Sequence, residues 1–410
     1  MRRMGCNIGI YNLHMQTKGG GEKLALVLAE HLSLKNNVWL FCAEPLDIPS
    51  LEQFFGVDLR NVTVSCLNSV GPFMRAVAKV RGRRAPAFSL HHYLQLKQKF
   101  NLDIFINNNY ASGLVCPAPR GIFMCMFPHP MPTNTPVHLT QRLRSVLVEW
   151  IEKRITKSST SIVDSYSTLV AISEYTAHWI RRMWGRDSEI IYPPCEDMGP
   201  PGIKRNVILN VGRFVAARNE NEQHHKRQEL LIDAFKQMTD LHRGGWELHF
   251  AGSMVSDEDS HRFGEDLRQK AGGLPIFFHF NAAREEIRDL YRRASIYWHA
   301  TGFGFDAERY PAKQEHFGMA TVEAMSAGAV PVVYSSGGQK EIVSDDVDGF
   351  CWDHLDELMS LTRRLADDAA LRVGLSRQAV LSSKRFGREA FVARVDKLIG
   401  DLRSPQRSGD

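Results

Sequence analysis

The sequence lacks the patterns that would place the chain in a membrane, in an oxidising compartment or around a metal ion. No apolar run approaches the ~20 residues that a membrane-spanning helix needs. The seven cysteines are scattered without a C-x-x-C pair, which is typical of buried free thiols in a reducing compartment. Zinc-ligand spacing, a P-loop and a G-x-G-x-x-G pattern are also missing. These absences favour a globular cytoplasmic protein without a structural metal.

The chain is long and its charge is unevenly distributed. Its 410 residues exceed the size of one ordinary core, so we expect two domains. Residues 1–195 carry a net charge of +9 and the remainder −4. The densest basic stretch lies at residues 75–84, and it is typical of a solvated helix and loop or of a patch that meets an anionic membrane surface. No stacking-aromatic or helix-turn-helix pattern accompanies it, so nucleic acid is not an expected partner.

Short apolar runs alternate with helical stretches along most of the chain. Six such runs extend from NIGIYN to LVAIS, and a second series of five extends from VILNVGRF to VPVVY. Strands that alternate with helices predict parallel sheets with crossover helices. Two series in succession predict an α/β protein of two Rossmann-like, doubly wound domains that face each other across a cleft.

The stretch IIYPPCEDMGPPGIK separates the two series, because its prolines and glycines cannot continue a helix or a central strand. We place the hinge at about residues 195–203 by this rule. The predicted N-terminal domain is then 1–195, and the C-terminal domain is 196–380. We expect a helix at 381–402 to pack back on the N-terminal domain, followed by a disordered tail at 403–410.

A run of glycines follows the first strand, in KGGGEKLALVLAEHL. Glycines allow a ligand to approach the backbone, and the start of the next helix offers free amides and the positive end of a dipole. The pattern suits a phosphate. It is also typical of a flexible turn before a helix, and both interpretations stay open.

A histidine between two prolines, His129 in MFPHPMPTN, follows the fifth strand. The prolines restrict the backbone around it. A rigid polar ring at a strand end is typical of a site residue. A structural histidine with satisfied hydrogen bonds is an equally good interpretation of this stretch alone.

Two cations follow the first strand of the second series, in NVGRFVAARNENEQHHKRQELLIDAF. Arg213 ends the strand, and Lys226 with Arg227 opens the next helix. Two cations that converge on one strand end can neutralise a diphosphate without a metal ion. The alternative is that both are ordinary surface cations.

Two glutamates, Glu315 and Glu323, stand eight positions apart in QEHFGMATVEAMSAGAVPVV. On one continuous helix, eight residues turn by about 800°, so the two side chains would not share a face. A better interpretation places Glu315 in a loop after the strand SIYWHAT and Glu323 more than one turn inside the following helix. The helix start can then hold an anion while each carboxylate accepts hydrogen bonds from hydroxyls on either side of it.

Together these motifs resemble glycosyltransferase family 4, a group of retaining, metal-independent enzymes with the GT-B fold. The marks are E-x7-E followed by AMSAGAVPVV, the glycine loop, the His-Pro pair, AISEYTAHWI before the hinge and the Arg and Lys after it. The stretch EHFGMATVEAMSAGAVPVVYSSGGQKEIV looks particularly like mannosyltransferases that extend dolichol-linked oligosaccharides, and like their bacterial relatives. The gap between Arg213 and Lys226 is longer than the family pattern.

The resemblance implies a role for each matching residue. Gly20 and Gly21 would face the donor phosphates, and His129 would contact the transferred sugar near its anomeric carbon. Arg213 and Lys226 would bind the diphosphate. Glu315 would hold the sugar hydroxyls together with the backbone amides of three residues, and Glu323 would hold the ribose. The three amides belong to Phe317, Gly318 and Met319. A base-reading residue is expected near Asn281, after IFFHF.

The expected function is therefore transfer of a hexose from a nucleotide diphosphate sugar to a hydroxyl of a glycan or a lipid-linked acceptor. GDP-mannose is the donor that the resemblance favours. No cofactor or metal is expected, and the enzyme would act in the cytoplasm or at the cytoplasmic face of a membrane. Two alternatives stay open: a sugar-nucleotide epimerase of similar shape, and a non-catalytic protein that binds sugar nucleotides or glycans.

Overall fold

A computed structural model describes residues 5–17, 19–67, 85–129, 161–215, 225–254 and 257–404. The basic stretch at 75–84 lies outside the described residues, so the predicted membrane patch stays a prediction. Most of the polar insertion between Arg213 and Lys226 and residues 405–410 of the predicted tail also lie outside them. No helix among the described residues is long and apolar enough to cross a membrane.

The chain forms two compact units, which are Met1–Tyr192 with Val392–Asp410, and Pro193–Phe391. The second unit begins three residues earlier and ends eleven residues later than the predicted domain 196–380. The reason is a contact between distant parts of the chain. The amide of Cys195 donates to the carbonyl of Phe386, and Cys195 forms a parallel bridge with Gly387. The two prolines before Cys195 are therefore part of the second unit.

A seven-stranded parallel sheet forms the centre of the first unit, with the order β3-β2-β1-β4-β5-β6-β7. Its apolar residues are buried on both faces, as expected for a parallel sheet covered by helices. The last strand has two residues and was not predicted, since so short a segment carries no periodicity. The strands are β1 Asn7–Tyr11, β2 Asn37–Cys42, β3 Val62–Cys66, β4 Ile104–Asn107, β5 Arg120–Cys125, β6 Thr168–Ala171 and β7 Glu189–Ile190.

Among the described residues of the first unit, four helices connect these strands. Residues with the expected capping chemistry fix some of their ends. The Ser173 hydroxyl accepts from the amide of Thr176 at 3.0 Å, and Gly185 ends the same helix in the left-handed conformation. The helices are α1 Gly20–Ser33, α2 Ile48–Phe55, α3 Ala85–Lys99 and α4 Glu174–Trp184.

A six-stranded parallel sheet forms the centre of the second unit, with the order β10-β9-β8-β11-β12-β13. Both sheets are parallel and doubly wound, so the predicted α/β fold of two Rossmann-like domains is confirmed. The three-residue edge strand β13 was not predicted. The strands are β8 Arg205–Val211, β9 Glu247–Gly252, β10 Ile276–Phe280, β11 Ala294–His299, β12 Val330–Tyr334 and β13 Phe350–Trp352.

Helices also connect the strands of the second unit, and the last one continues into the residues grouped with the first unit. The helix predicted at 381–402 is divided, because a 3-10 turn at Lys384–Phe386 separates two helices. Arg403 still belongs to the second of these, so this helix extends one residue beyond the predicted end at 402. The helices are α5 Gln228–Gln237, α6 Thr239–Arg243, α7 Glu258–Ala271, α8 Arg284–Arg293, α9 Met319–Ser326, α10 Gln339–Ile342, α11 Leu355–Asp367, α12 Ala369–Ser383 and α13 Arg388–Arg403.

Two strand ends of the second unit approach each other so closely that only glycine fits. A Cβ atom on Gly252 would lie 2.1 Å from the carbonyl oxygen of Gly212, and Gly252 has a φ of +154°. The amide of Gly212 donates to the carbonyl of Ala251 at 2.9 Å. This contact brings the ends of β8 and β9 together at the edge of the sheet where the predicted cations lie.

Substituting Gly252 should therefore be costly. We expect Gly252→Ala to lower the free energy of unfolding by at least about 2 kcal/mol, because the new methyl group meets backbone and the φ angle is strained. Gly374→Ala is the control, since no atom lies within 4 Å of its added Cβ in α12. That change should raise stability by up to about 1 kcal/mol through helix propensity. Urea unfolding of both variants measures the difference, and equal effects would contradict this packing.

Candidate functional site

The glycine loop of the first unit forms the start of α1, as predicted. The amide of Gly19 donates to the Glu22 carboxylate at 2.7 Å, which leads the chain into the helix. A Cβ on Gly21 would lie 2.3 Å from the terminal methyl of Met126, so this turn lies directly against the residue after β5. Gly20, the first helical residue, is exposed. The loop therefore presents backbone at the carboxyl edge of the sheet, where a phosphate can reach it.

Three consecutive asparagines lie at the end of β4, and the sequence analysis did not select them. One of the three supports the glycine loop. Asn108 donates to the carbonyl of Gly21 at 2.8 Å, while its own Oδ1 is buried without a partner in the described part of the chain. Asn107 donates to the hydroxyls of Ser112 and Tyr166. Asn109 accepts from the amide of Leu13. The repeat INNN after an apolar strand was the available indication, since three polar amides rarely follow a buried strand without a structural task.

His129 lies half-buried after β5. The indole of Trp184 donates to its carbonyl oxygen at 3.1 Å, and the two rings meet edge to face. Burial lowers the pKa of His129 below its usual range, so the ring is neutral at pH 7. Neither ring nitrogen bonds to another described residue, so both stay available to a ligand. Its predicted contact with a sugar stays a prediction.

Both predicted cations lie near the end of β8. The stem of Lys226 passes over Gly212, because a Cβ on that glycine would lie 2.8 Å from Cγ of the lysine. Arg213 is exposed, and its carbonyl accepts from the side chain of Gln228. Arg227 does not open the helix as predicted. It has a φ of +57° and α5 begins at the next residue.

Glu315 is the centre of a small charged cluster. Its Oε2 atom lies 2.5 Å from Nζ of Lys226 and 3.1 Å from Nε2 of His299. The lysine and glutamate side chains retain 17% and 14% of their exposure, and the histidine retains 5%. Lys226 lies before α5, Glu315 lies in the loop before α9, and His299 ends β11. Three distant segments therefore meet at one carboxylate oxygen.

The charges of the cluster depend on one another. Burial has the largest effect on Glu315 and would raise its pKa, but Lys226 and His299 together outweigh it and hold the pKa well below its usual range. Burial lowers the pKa of His299, and Lys226 lowers it further, although Glu315 opposes both. The arrangement is thus an ionised carboxylate held by a charged lysine and a neutral imidazole whose Nε2–H donates.

Glycines fix the loop that carries Glu315. The amide of Gly338 donates to the carbonyl of Glu315 at 2.8 Å, and a Cβ on Gly337 would lie 2.2 Å from the same oxygen. The buried Gln314, one residue earlier, accepts from the hydroxyl of Ser336 at 2.7 Å. The loop after β12 therefore packs against the backbone of Glu315 and fixes it. The side chain of Glu315 consequently has little freedom to move.

Gly318 and the start of α9 follow this loop. Gly318 has a φ of +118°, and the eight residues of α9 begin directly after it. The first amides of any helix lack helical partners. Within the described residues, no hydrogen bond is recorded for the amides of Gly318 and Met319. The carbonyl of Phe317 accepts from the side chain of Gln339, and its ring is buried against Phe386. The predicted sugar contact of its amide stays a prediction. The amides of the first turn can receive an anion.

Glu323 lies more than one turn inside α9, as predicted, and is half-buried. The hydroxyl of Tyr291 donates to its carboxylate at 3.3 Å. Tyr297 stands close to both glutamates: burial raises its pKa most, and the charges of Glu315 and Glu323 raise it further. The two carboxylates are thus neighbours of one buried phenol, which the sequence analysis did not identify.

Asn281 occupies an exposed left-handed position after β10, with a φ of +53°. Its side-chain oxygen accepts from the amide of Met254 at 2.9 Å, and its own amide donates to the carbonyl of Gly252. These bonds give Asn281 a structural task in joining the ends of β9 and β10. Its predicted part in reading a base stays a prediction.

A cavity of about 670 Å³ opens at the other edge of the first sheet, where β1 and β2 begin. Asparagines dominate its lining, but several of them bond to each other or to nearby backbone. Asn37 donates to Asn7, Asn7 donates to the carbonyl of Asn101, and Asn36 donates to the carbonyl of Leu32. These amides join strand and loop ends, so this cavity is not the candidate site. In each unit the candidate residues lie instead at the carboxyl edge of that unit's own sheet.

Residues 199–379 match the family described as "Glycosyl transferases group 1". The predicted resemblance to glycosyltransferases is confirmed. The matched residues include Arg213, Lys226, Glu315 and Glu323, which are the predicted donor-binding side chains of the second unit.

Two relatives carry the same name, GDP-Man:Man(3)GlcNAc(2)-PP-Dol alpha-1,2-mannosyltransferase. The one from Dictyostelium discoideum is 26% identical over 290 residues, which cover 66% of this chain and 54% of that protein. The human one is 26% identical over 265 residues, which cover 58% of this chain and 50% of that protein. The chain therefore spans about half the length of these relatives.

Solved structures show the same fold over almost the whole chain. Anabaena Alr3699/HepE in complex with UDP and glucose aligns with a TM-score of 0.63 and 14% identity, covering 97% of this chain and 100% of that one. The sucrose-phosphate synthase of Thermosynechococcus elongatus aligns with a TM-score of 0.65 and 15% identity, covering 97% and 99%. At this level of identity, both alignments show the fold alone.

Removing Lys226 should expose the cost of burying Glu315. We expect Lys226→Met to lower the free energy of unfolding by about 2 kcal/mol at pH 7. This is somewhat less than the cost of removing one partner from a fully buried ion pair. Because Lys226 depresses the pKa of Glu315, its contribution is present above the unfolded pKa of about 4.3 and is lost as the pH falls through the folded pKa. The difference between wild type and variant should therefore shrink below about pH 4, as urea unfolding can measure.

Lys270→Met is the matched control, since Lys270 pairs with Asp233 at 2.7 Å but with 33% and 49% of the two side chains exposed. That pair should contribute less than about 1 kcal/mol. Adding Glu315→Gln to Lys226→Met should recover most of the lost stability. A double variant as unstable as Lys226→Met alone would contradict the argument that the uncompensated carboxylate causes the loss.

Proposed function

We propose that the chain is a glycosyltransferase that moves a mannosyl group from GDP-mannose to a hydroxyl of a lipid-linked glycan. The observation that carries this proposal is the cluster of Lys226, Glu315 and His299 at the strand ends of the second unit. It lies within the residues that match the glycosyl transferase family. The donor and the acceptor class come from the names of the two relatives.

The diphosphate of the donor would meet positive charge at the end of β8. Arg213 is exposed there, and no ion pair of its guanidinium is recorded within the described residues. The stem of Lys226 lies against Gly212, the residue before Arg213, and the start of α9 adds backbone amides. Each such donor, aimed at charge that grows on the leaving group, is worth about 3–4 kcal/mol in the transition state. We infer that these groups do the work that a metal ion does in other sugar-nucleotide enzymes.

The carboxylates would hold the two sugars of the donor. Glu315 keeps its Oε1 atom free of recorded partners, so this oxygen can accept from hydroxyls of the transferred hexose. Glu323 lies further along α9 and can accept from the ribose hydroxyls, on the other side of the helix start that receives the phosphate. Neither carboxylate then acts as nucleophile or general acid.

We propose a retaining reaction in which the acceptor attacks from the face that the diphosphate leaves. The bond between the anomeric carbon and the phosphate oxygen breaks as the acceptor oxygen bonds to that carbon. The leaving phosphate takes the proton of the acceptor hydroxyl. His129, neutral at pH 7 because burial lowers its pKa, would donate or accept a hydrogen bond near the anomeric carbon.

A lipid-linked acceptor would bring the enzyme to a membrane surface on its cytoplasmic side. The basic residues at 75–84 support this proposal through their charge alone. Binding to vesicles that contain anionic lipid should weaken as salt rises, because such attraction is screened. Co-sedimentation that does not depend on salt or on lipid charge would contradict the membrane proposal without touching the transferase proposal.

Replacing Arg213 tests the diphosphate site. We expect Arg213→Ala to lower kcat for mannosyl transfer on the order of a hundredfold, since an interaction with growing charge is lost. Arg243→Ala, at an exposed arginine in α6 of the same unit, is the control and should retain wild-type activity. The assay follows radiolabelled GDP-mannose with a lipid extract as acceptor. A wild-type protein that binds the donor without turnover would indicate a binding protein, and donor conversion without acceptor would indicate an epimerase.

A further inference from the structure

The cluster around Glu315 contains a histidine that neither the sequence motifs nor the proposed binding roles require. His299 is the last residue of β11, and its ring is almost fully buried. Its Nε2 lies 3.1 Å from Oε2 of Glu315, while its Nδ1 is buried with no partner in the described part of the chain. A buried ring nitrogen without a partner is costly, so the contact on the other side of the ring must outweigh that cost.

Lys226 and His299 both contact Oε2 of Glu315, but the binding of a donor sugar nucleotide would affect the two contacts differently. The proposed diphosphate would compete with the carboxylate for the lysine, because both are anions within its reach. A carboxylate that loses its lysine in a buried place tends to take up a proton or to rotate. His299 faces no such competition, since its Nε2 points only at Glu315 among the described residues.

The position of His299 is also better defined than that of a loop residue. Its strand lies between β8 and β12 in the middle of the sheet, and His299 is in register with Val333. Groups on a central strand hold their geometry more firmly than groups on a loop. A hydrogen bond from this ring to Oε2 therefore leaves Oε1 directed away from the strand.

We propose that His299 is a positioning residue for the sugar-binding carboxylate: it holds Oε2 of Glu315 when Lys226 engages the donor diphosphate, so that Oε1 stays aimed at the sugar hydroxyls. This inference rests on the proposed function. It predicts that His299 affects recognition of the sugar and not of the nucleoside diphosphate. The sequence placed His299 in the predicted strand SIYWHAT and gave it no role.

The test compares binding of GDP and GDP-mannose by calorimetry. His299→Leu should weaken GDP-mannose binding about tenfold and leave GDP binding within about twofold of wild type, because a hydrogen bond to a charged group is lost only on the sugar side. His299→Gln can donate from a similar position and should restore most of the affinity for GDP-mannose. Thermal melting of each variant verifies that it is folded before binding is measured.

His249→Leu is the matched control. This histidine also lies on a strand of the same sheet and contacts a carboxylate, Glu247, at 3.0 Å, but it is in β9 and paired with His279. Its replacement should leave the ratio of the two affinities unchanged. If it changes the ratio as much as His299→Leu does, the effect comes from the sheet in general and the proposal is wrong.

A double-mutant cycle with Glu315→Gln decides whether His299 acts through the carboxylate. If it does, His299→Leu should have little further effect on GDP-mannose binding in the Glu315→Gln background. Fully additive losses would overturn the positioning role, and so would equal losses of GDP and GDP-mannose affinity in His299→Leu. A wild-type protein that binds GDP-mannose no better than mannose-free GDP analogues and transfers no mannose would instead contradict the proposed function itself.

Discussion

The candidate site of the second unit depends on one carboxylate oxygen, Oε2 of Glu315. It is shared by a lysine that lies before α5 and a histidine that ends a central strand, which stand 89 and 16 residues from Glu315 in sequence. Burial alone would neutralise the glutamate, so its charge exists only because the fold brings these partners to it. The same lysine lies against Gly212, which places the proposed diphosphate and sugar sites next to each other.

Backbone packing makes this arrangement rigid. Gly252 and Gly212 bring two strand ends into contact, while Gly337 and Gly338 bring the loop after β12 against the carbonyl of Glu315. An added methyl group on Gly252, Gly337 or Gly338 would overlap main-chain atoms, and one on Gly212 would meet the side chain of Lys226. Parallel sheets place such loops at one edge, where ligands of doubly wound proteins bind. The glycines are therefore as much a part of the site as the charged side chains they bring together.

The sequence was sufficient to predict the two parallel sheets, because buried strands that alternate with helices are strong local features. It also predicted that Glu315 precedes a helix and that Glu323 lies inside it. The donor-binding roles of these residues stay predictions. The sequence could not predict His299 or Tyr297. Both lie in the apolar strand ASIYWH, which reads as ordinary core, and their contacts are formed with residues far along the chain. The strands Glu189–Ile190 and Phe350–Trp352 were too short to show a period. The left-handed conformation of Arg227 also has no local sequence cause.

The central claim is that a nucleoside diphosphate sugar binds to the second unit between Arg213, Lys226 and the start of α9, with its sugar at Glu315. A crystal structure of the chain grown with GDP-mannose tests this most directly. The account predicts phosphate oxygens within hydrogen-bonding distance of Arg213 and Lys226, and a sugar hydroxyl on Oε1 of Glu315. Donor bound elsewhere, or bound here with its sugar turned away from Glu315, would contradict it.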